Sequence, residues 1–129
     1  MLADTGPLYA ARDPNDTLHN RSQRELTQLK SLNLKVVVPY PALLESFSLV
    51  MRKLGTREAR KFLVQVVSTA ILENPTTEDY QQACINILPY VDQDISLFDA
   101  VIAEMSHRLE APVWTYDHHF DRIGAEVWR

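Results

Sequence analysis

What most constrains this chain is an alternation. Short apolar runs recur at Leu2–Ala3, Lys35–Val38, Ala70–Leu72, Pro112–Thr115 and Ala125–Trp128, and long stretches with helical periodicity lie between most of them. Runs this short and this apolar, β-branched at Val36, Val37 and Val38, read as strands buried on both faces. Strands separated by helices pair in parallel, because a parallel pair needs a crossover. The expected fold class is α/β: a three-layer sandwich with a central, mostly parallel sheet of four to five strands flanked by helices.

The segments between the runs carry helix signals. Asp13-Pro14-Asn15-Asp16 is turn chemistry, and a helix is expected from about Thr17 to Leu32 with Leu18, Leu26 and Leu29 inward. Pro41 opens a helix that runs to Leu54 and stops at Gly55. Thr56-Arg57-Glu58 caps the next, which carries Phe62, Leu63, Val66 and Val67. Pro75-Thr76-Thr77-Glu78 starts one that runs to about Tyr90, and Ser96 caps one over Leu97–Leu109.

Open parallel sheets place their functional side chains at the carboxyl ends of strands. Asp4 ends the first strand, and Asp117 lies just past the fourth. Glu45 falls off the apolar stripe Leu43, Leu44, Phe47, Val50, Met51 and Leu54, at the first turn of the helix after the second strand. Asp99 sits at the margin of the stripe Phe98, Val101, Ile102, Met105 and Leu109, in the first turn of its helix. Each acid alone has an ordinary explanation. A carboxylate complements the dipole at a helix start, Asp4 can cap a turn, and Asp117 can be a loop residue. Gathered on one edge they need more. Two carboxylates ~5 Å apart repel by about 3 kcal/mol at an effective dielectric near 20. No lysine or arginine close in sequence to Asp4, Glu45 or Asp99 obviously neutralises them. A hard divalent cation is the economical counterion, and oxygen ligands suit Mg²⁺ or Mn²⁺. Such ions favour phosphate substrates and in-line displacement.

Composition bounds the alternatives. A length of 129 residues suits one domain, and an apolar fraction of 46% with 3 Gly suits a compact core. A net charge of −4 argues against a broad basic surface that grips nucleic acid by phosphate neutralisation. The single Cys84 excludes an internal disulfide framework, fits a reducing compartment, and reads as a small core residue. No apolar run reaches the roughly 20 residues of a membrane span. The opening MLADTGPLYA lacks the basic flank of a signal peptide, so the expected location is cytoplasmic.

Four segments, in order, resemble the PIN-domain proteins. DTGPLYA resembles their opening, with Asp4 at a strand end. PALLESFSLVMRK resembles the helix carrying their second acid, SLFDAVIAEMSHRL the third segment, and VWTYDHHF the fourth, where Thr, Asp and Phe recur in that order. DPNDTLHNRS, with Asp16 and His19, is similar to a segment common in one branch of the family. The resemblance spans nearly the whole chain and treats residues 1–129 as a single PIN domain. It implies a Mg²⁺- or Mn²⁺-dependent endoribonuclease, and at this length its nearest kin are VapC-type toxins of toxin–antitoxin pairs. Carried over by motif, Asp4, Asp99 and Asp117 are metal ligands, and Glu45 completes the catalytic quartet directly or through a water. Glu45 or Asp117 would align the attacking water, and Thr5 and Thr115 would orient a carboxylate or a metal water. Where many members carry Ser or Asn, this chain has Gly6, which removes one possible polar contact. The implied partners are an RNA substrate, an antitoxin whose tail occludes the acids, and a second copy in a homodimer. Apolar helical faces in LVMRKLGTREARKFLVQVV would serve the last two, although core packing accounts for most of those residues.

The remaining polar residues near the motifs have plainer readings. His118 and His119 read as an exposed loop pair rather than magnesium ligands, with contact to RNA as their functional alternative. Phe120 reads as an anchor packed under the loop. Asp121 reads as a cap or a neighbour of a second ion. His107 reads as a solvated helix residue, and Asp16 with His19 as a helix cap or a rim of the site. Three competing functions are a phospho-receiver module, a non-catalytic PIN-like scaffold that binds RNA or protein, and a zinc enzyme built on His118 and His119. The receiver would want an acidic pair after its first strand and a lysine after its last. The complete acid quartet counts against the scaffold. Adjacent histidines point in different directions, which counts against zinc.

Overall fold

A computed structural model describes all residues, Met1–Arg129. Its elements run β1 (Leu2–Ala3), α1 (Thr5–Arg12), α2 (His19–Ser31), β2 (Val37–Pro39), α3 (Tyr40–Leu54), α4 (Thr56–Thr69), β3 (Ile71–Glu73), α5 (Thr77–Asn86), α6 (Leu97–Leu109), β4 (Val113–Trp114), α7 (His119–Arg122) and β5 (Val127–Trp128). The strands form one five-stranded sheet in the order β3-β2-β1-β4-β5. Every pairing is parallel, with Leu2 registered on Val37 to one side and on Val113 to the other. The sheet is therefore parallel throughout, where the sequence indicated mostly parallel.

Neighbouring residues of a strand point to opposite faces, which divides the core into two layers. Ala3 and Trp114 join Leu8, Leu29, Val38, Val50 and Phe62 on one side. Leu2 and Val113 join Ile102, Met105 and Phe120 on the other. Fully burying a side chain such as Phe120 or Met105 contributes roughly 2–3 kcal/mol by area. The strands are two or three residues long, so at β1, β2 and β4 this two-sided burial, more than ladder hydrogen bonds, fixes their place, whereas the edge strands β3 and β5 are only partly covered, contrary to the expectation of burial on both faces.

Strand order reverses at β1. The chain leaves it toward β2 and β3, then returns to fill β4 and β5 on the other side. The carboxyl ends of β1 and β4 therefore flank the switch point, where such sheets bind ligands.

Several expectations need correction. Helix α1 was not anticipated. It tolerates Pro7 because that residue falls in the first turn, where its missing N–H has no helical partner to lose. Helix α5 ends at Asn86 rather than near Tyr90, because Pro89 disfavours helical backbone at Leu88. Cys84 is exposed, and its neighbour Ala83 holds the core position against Ala100 and Val101. On α3, Leu44 and Met51 face outward while Ala42 and Ser46 are buried. Glu45 lies in the second turn of α3, because that helix begins at Tyr40. No helix is long and apolar enough to cross a membrane.

Candidate metal centre

Asp4 caps α1 from the end of β1. Its Oδ1 accepts from the Thr5 N–H at 2.7 Å, and its Oδ2 accepts from the Thr115 hydroxyl at 2.7 Å. Thr115 also accepts the Asp117 N–H at 3.0 Å, so one hydroxyl ties the ends of β1 and β4 together. Asp4 is buried, and this burial pushes its carboxyl up to about 6. The hydrogen bonds from Thr115 and Thr5 oppose the rise, while Asp99 and Asp117 add to it by like-charge repulsion.

Asp99 is the third residue of α6 and forms a capping box with Ser96. Its backbone N–H donates to the Ser96 hydroxyl at 3.1 Å, and its Oδ2 accepts from the Ser96 N–H at 2.9 Å. Asp117 lies in the turn after β4, where its Oδ1 accepts the His119 N–H at 2.9 Å and starts α7. Glu45 is exposed on α3. Partial burial of its carboxyl, then the field of Asp99, raise it above the ordinary glutamate value.

All four acids named by sequence thus meet electrostatically at one edge. No lysine or arginine forms an ion pair with any of them. The tightest group is slightly different from the expected one. Ligand atoms of Asp99, Asp117 and His119 all lie within 4.8 Å of one another, and Asp4 stands beside this trio, linked through Thr115.

His119 corrects the reading of the histidines. His118 is open to solvent, as expected of a loop residue, but His119 is half-buried. Its Nδ1 lies 3.2 Å from Asp117 Oδ1 and 3.8 Å from Asp99 Oδ2. Phe120 is fully buried and fixes the rotation of the short α7, which turns His119 onto the acids and His118 away. The only sequence signal was the adjacency of His119 to that anchor.

Other residues lie elsewhere. Asp121 is paired with Arg129 at 2.6 Å, which holds its carboxyl below the usual range. Asp16 accepts the Leu18 N–H, and His19 Nδ1 lies 2.8 Å from the Ala10 carbonyl, so both belong to the turn between α1 and α2. His107 Nε2 is 3.1 Å from the Gly124 carbonyl. A cavity of about 510 Å³ lies away from the acids, lined by Leu8, Leu26, Leu29, Phe62, Val66 and Trp114 among others.

Two buried polar atoms beside the acids have no hydrogen-bond partner, His119 Nδ1 and Thr5 Oγ1. A buried orphan of this kind costs about 1–3 kcal/mol unless something satisfies it. Carboxylate oxygens with one imidazole nitrogen form a donor set that fits Mn²⁺, and Mg²⁺ through the oxygens.

No sequence-family model and no curated protein matches the chain. Solved structures do match its backbone. VapC20 from Mycobacterium tuberculosis, a toxin that cleaves the sarcin–ricin loop, aligns with a TM-score of 0.84 at 20% identity, over 99% of this chain and 98% of its own. VapBC2 from Rickettsia felis, solved with a DNA fragment from its promoter, gives 0.77 at 15% identity, over 99% and 96%. FitAcB from Neisseria gonorrhoeae gives 0.70 at 16% identity, over 99% and 96%. With its parallel sheet switching direction at β1 and helices on both faces, the chain adopts the PIN-like α/β fold of these proteins.

Proposed function

We propose that this chain is a Mg²⁺- or Mn²⁺-dependent endoribonuclease that acts in the cytoplasm as the toxin of a toxin–antitoxin pair. One observation carries the reading. Asp4, Glu45, Asp99 and Asp117 share one edge without a lysine or arginine partner, and the His119 imidazole nitrogen that faces them makes no aligned hydrogen bond. Asp99 and Asp117 would hold the cation, with Asp4 beside them and His119 offering a nitrogen. When bound, the ion supplies Lewis acidity toward a phosphodiester and lowers the pKa of water.

The chain's own residues have separable parts in this reading. Thr115 fixes Asp4 and the Asp117 backbone in one arrangement, which preorganises the acids. The capping box locks Asp99 with two backbone-linked hydrogen bonds. Glu45 sits at the open side, and its raised carboxyl suits it to hold or accept a proton from a water on the RNA side.

A toxin needs restraint, so an antitoxin partner belongs to the proposal, and the apolar cavity beside Trp114 offers such a partner a seat. The outward Leu44 and Met51 on α3 support a homodimer face next to Glu45. The deciding experiment is cleavage of RNA by the purified protein with Mn²⁺, against the same reaction with EDTA. Metal-dependent cleavage that disappears in Asp99→Asn supports the proposal. RNA binding without cleavage at any metal concentration replaces it with a non-catalytic scaffold.

A further inference from the structure

A ribonuclease with a net charge of −4 has no broad basic face for its substrate. Contacts must come from a few well-placed groups near the acids. One arrangement at the rim has the right chemistry. Tyr116 lies in the chain between Thr115 and Asp117, and its ring faces Gly6, two residues past Asp4, at a distance where a Cβ on that glycine would just touch it. The Arg21 guanidinium stacks on that ring, with Cζ 4.5 Å from the centroid. Glu25 holds both pieces: it accepts the Tyr116 hydroxyl, the Arg21 Nε–H at 2.8 Å and the Trp114 indole N–H at 2.7 Å. These bonds immobilise the stack but use only one edge of the guanidinium. Arg21 Nη1 and Nη2 have no hydrogen-bond partner in the protein, and the side chain is 41% exposed.

Resting on the ribonuclease reading, we propose that Arg21, backed by Tyr116, is the substrate platform that seats the nucleotide beside the scissile phosphate of single-stranded RNA. A guanidinium plane stacks on a base, and its free N–H edge matches a phosphate, so one side chain contacts both. The backing ring and Glu25 fix that plane in advance, which lowers the entropy lost on binding. Lysine in the same place would supply the charge but no plane.

The test begins with the wild-type protein, Mn²⁺ and a single-stranded RNA in which the cleavage position has been mapped. Arg21→Ala raises KM about tenfold, the lower range for one stacked base, while kcat changes less than threefold. Arg21→Lys, which preserves the partner for Glu25 and hence the fold, raises KM nearly as much. Tyr116→Leu does likewise, and Tyr116→Phe, which keeps the ring, recovers most of the loss. The probe can be changed instead of the protein: an RNA with an abasic residue beside the cleavage position binds the wild type more weakly, yet costs Arg21→Ala nothing further. Full rescue by lysine, or losses that multiply between Arg21→Ala and the abasic RNA, would overturn the platform while leaving the ribonuclease intact. Absence of cleavage by the wild type overturns the ribonuclease reading, and the platform with it.

Discussion

Asp79 and Asp99 occupy the same place in the same kind of helix start. Each is the third residue of its helix, each closes a capping box with Thr76 or Ser96, and each is buried. Their backbone bonds match within a few tenths of an ångström: 3.0 and 2.8 Å at Asp79, 3.1 and 2.9 Å at Asp99. The difference lies in what completes the carboxylate. Asp79 receives Arg108, whose Nε and Nη2 lie 2.9–3.1 Å from its oxygens. Burial acts to raise the Asp79 carboxyl, but Arg108 and the Thr76 N–H outweigh it and hold it below the usual range. Asp99 instead faces Asp4, Glu45, Asp117 and His119, with no arginine or lysine. The two boxes teach that capping explains why an aspartate stands at a helix start, and that the missing arginine or lysine is what sets the candidate site apart.

Replacement by asparagine separates the two most sharply. Asp99→Asn keeps a cap oxygen and lowers metal-dependent RNA cleavage roughly 10²–10³-fold, with an unchanged or raised melting temperature. Asp79→Asn keeps the cap as well but strands Arg108, and costs about 2 kcal/mol in denaturant unfolding. Its cleavage per folded molecule stays near wild type. Activity lost from both variants in equal measure would erase the distinction.

Added cation sharpens it further. Mn²⁺ at a hundred times its Kd stabilises the wild type by about 3 kcal/mol. Thermal unfolding should show that gain preserved in Asp79→Asn and absent from Asp99→Asn.

Acid moves the two regions in opposite directions. The Asp4 carboxyl at about 6 in the fold, against 3.8 unfolded, binds its proton more tightly when folded. Its stabilising contribution is complete below 3.8 and is lost as pH rises through 6. A shift of about 2 units corresponds to about 3 kcal/mol. The Asp79–Arg108 pair, with its lowered carboxyl, contributes above 3.8 and fails only below it. Metal-free protein taken from pH 7 to pH 5 should therefore gain stability at the acidic edge while the ion pair stays intact, and Asp4→Asn should flatten that gain. A wild-type melting temperature that falls over this interval, with no difference in Asp4→Asn, contradicts the assignment.

The smallest effect distinguishes adjacent histidines. His119→Gln weakens Mn²⁺ binding about tenfold by titration calorimetry. His118→Gln leaves it unchanged, since that side chain points into solvent.

Much of the candidate site could be read before folding. Asp4 and Asp117 follow directly from strand ends, and Asp99 from its place at the margin of an apolar stripe in the first turn of its helix. The same pattern reading placed α6 to the residue and all five strands within a residue or two, since apolar runs and caps are local signals. It failed where local signals are absent or ambiguous. No local signal announced α1, and residue type alone put Cys84 inside, where Ala83 holds the place. It also could not separate His119 from His118, because the angle at which a side chain leaves a short turn depends on what Phe120 packs against.

The sequence by itself determined the alternation of buried strands and helices, and with it which ends carry carboxylates, because hydrophobic period and capping chemistry act over a few residues. Only the tertiary structure decided which of those carboxylates lack a partner. Arg108 reaches Asp79 from 29 residues away and no arginine or lysine reaches Asp99, and that distinction comes from packing between elements rather than from any local pattern.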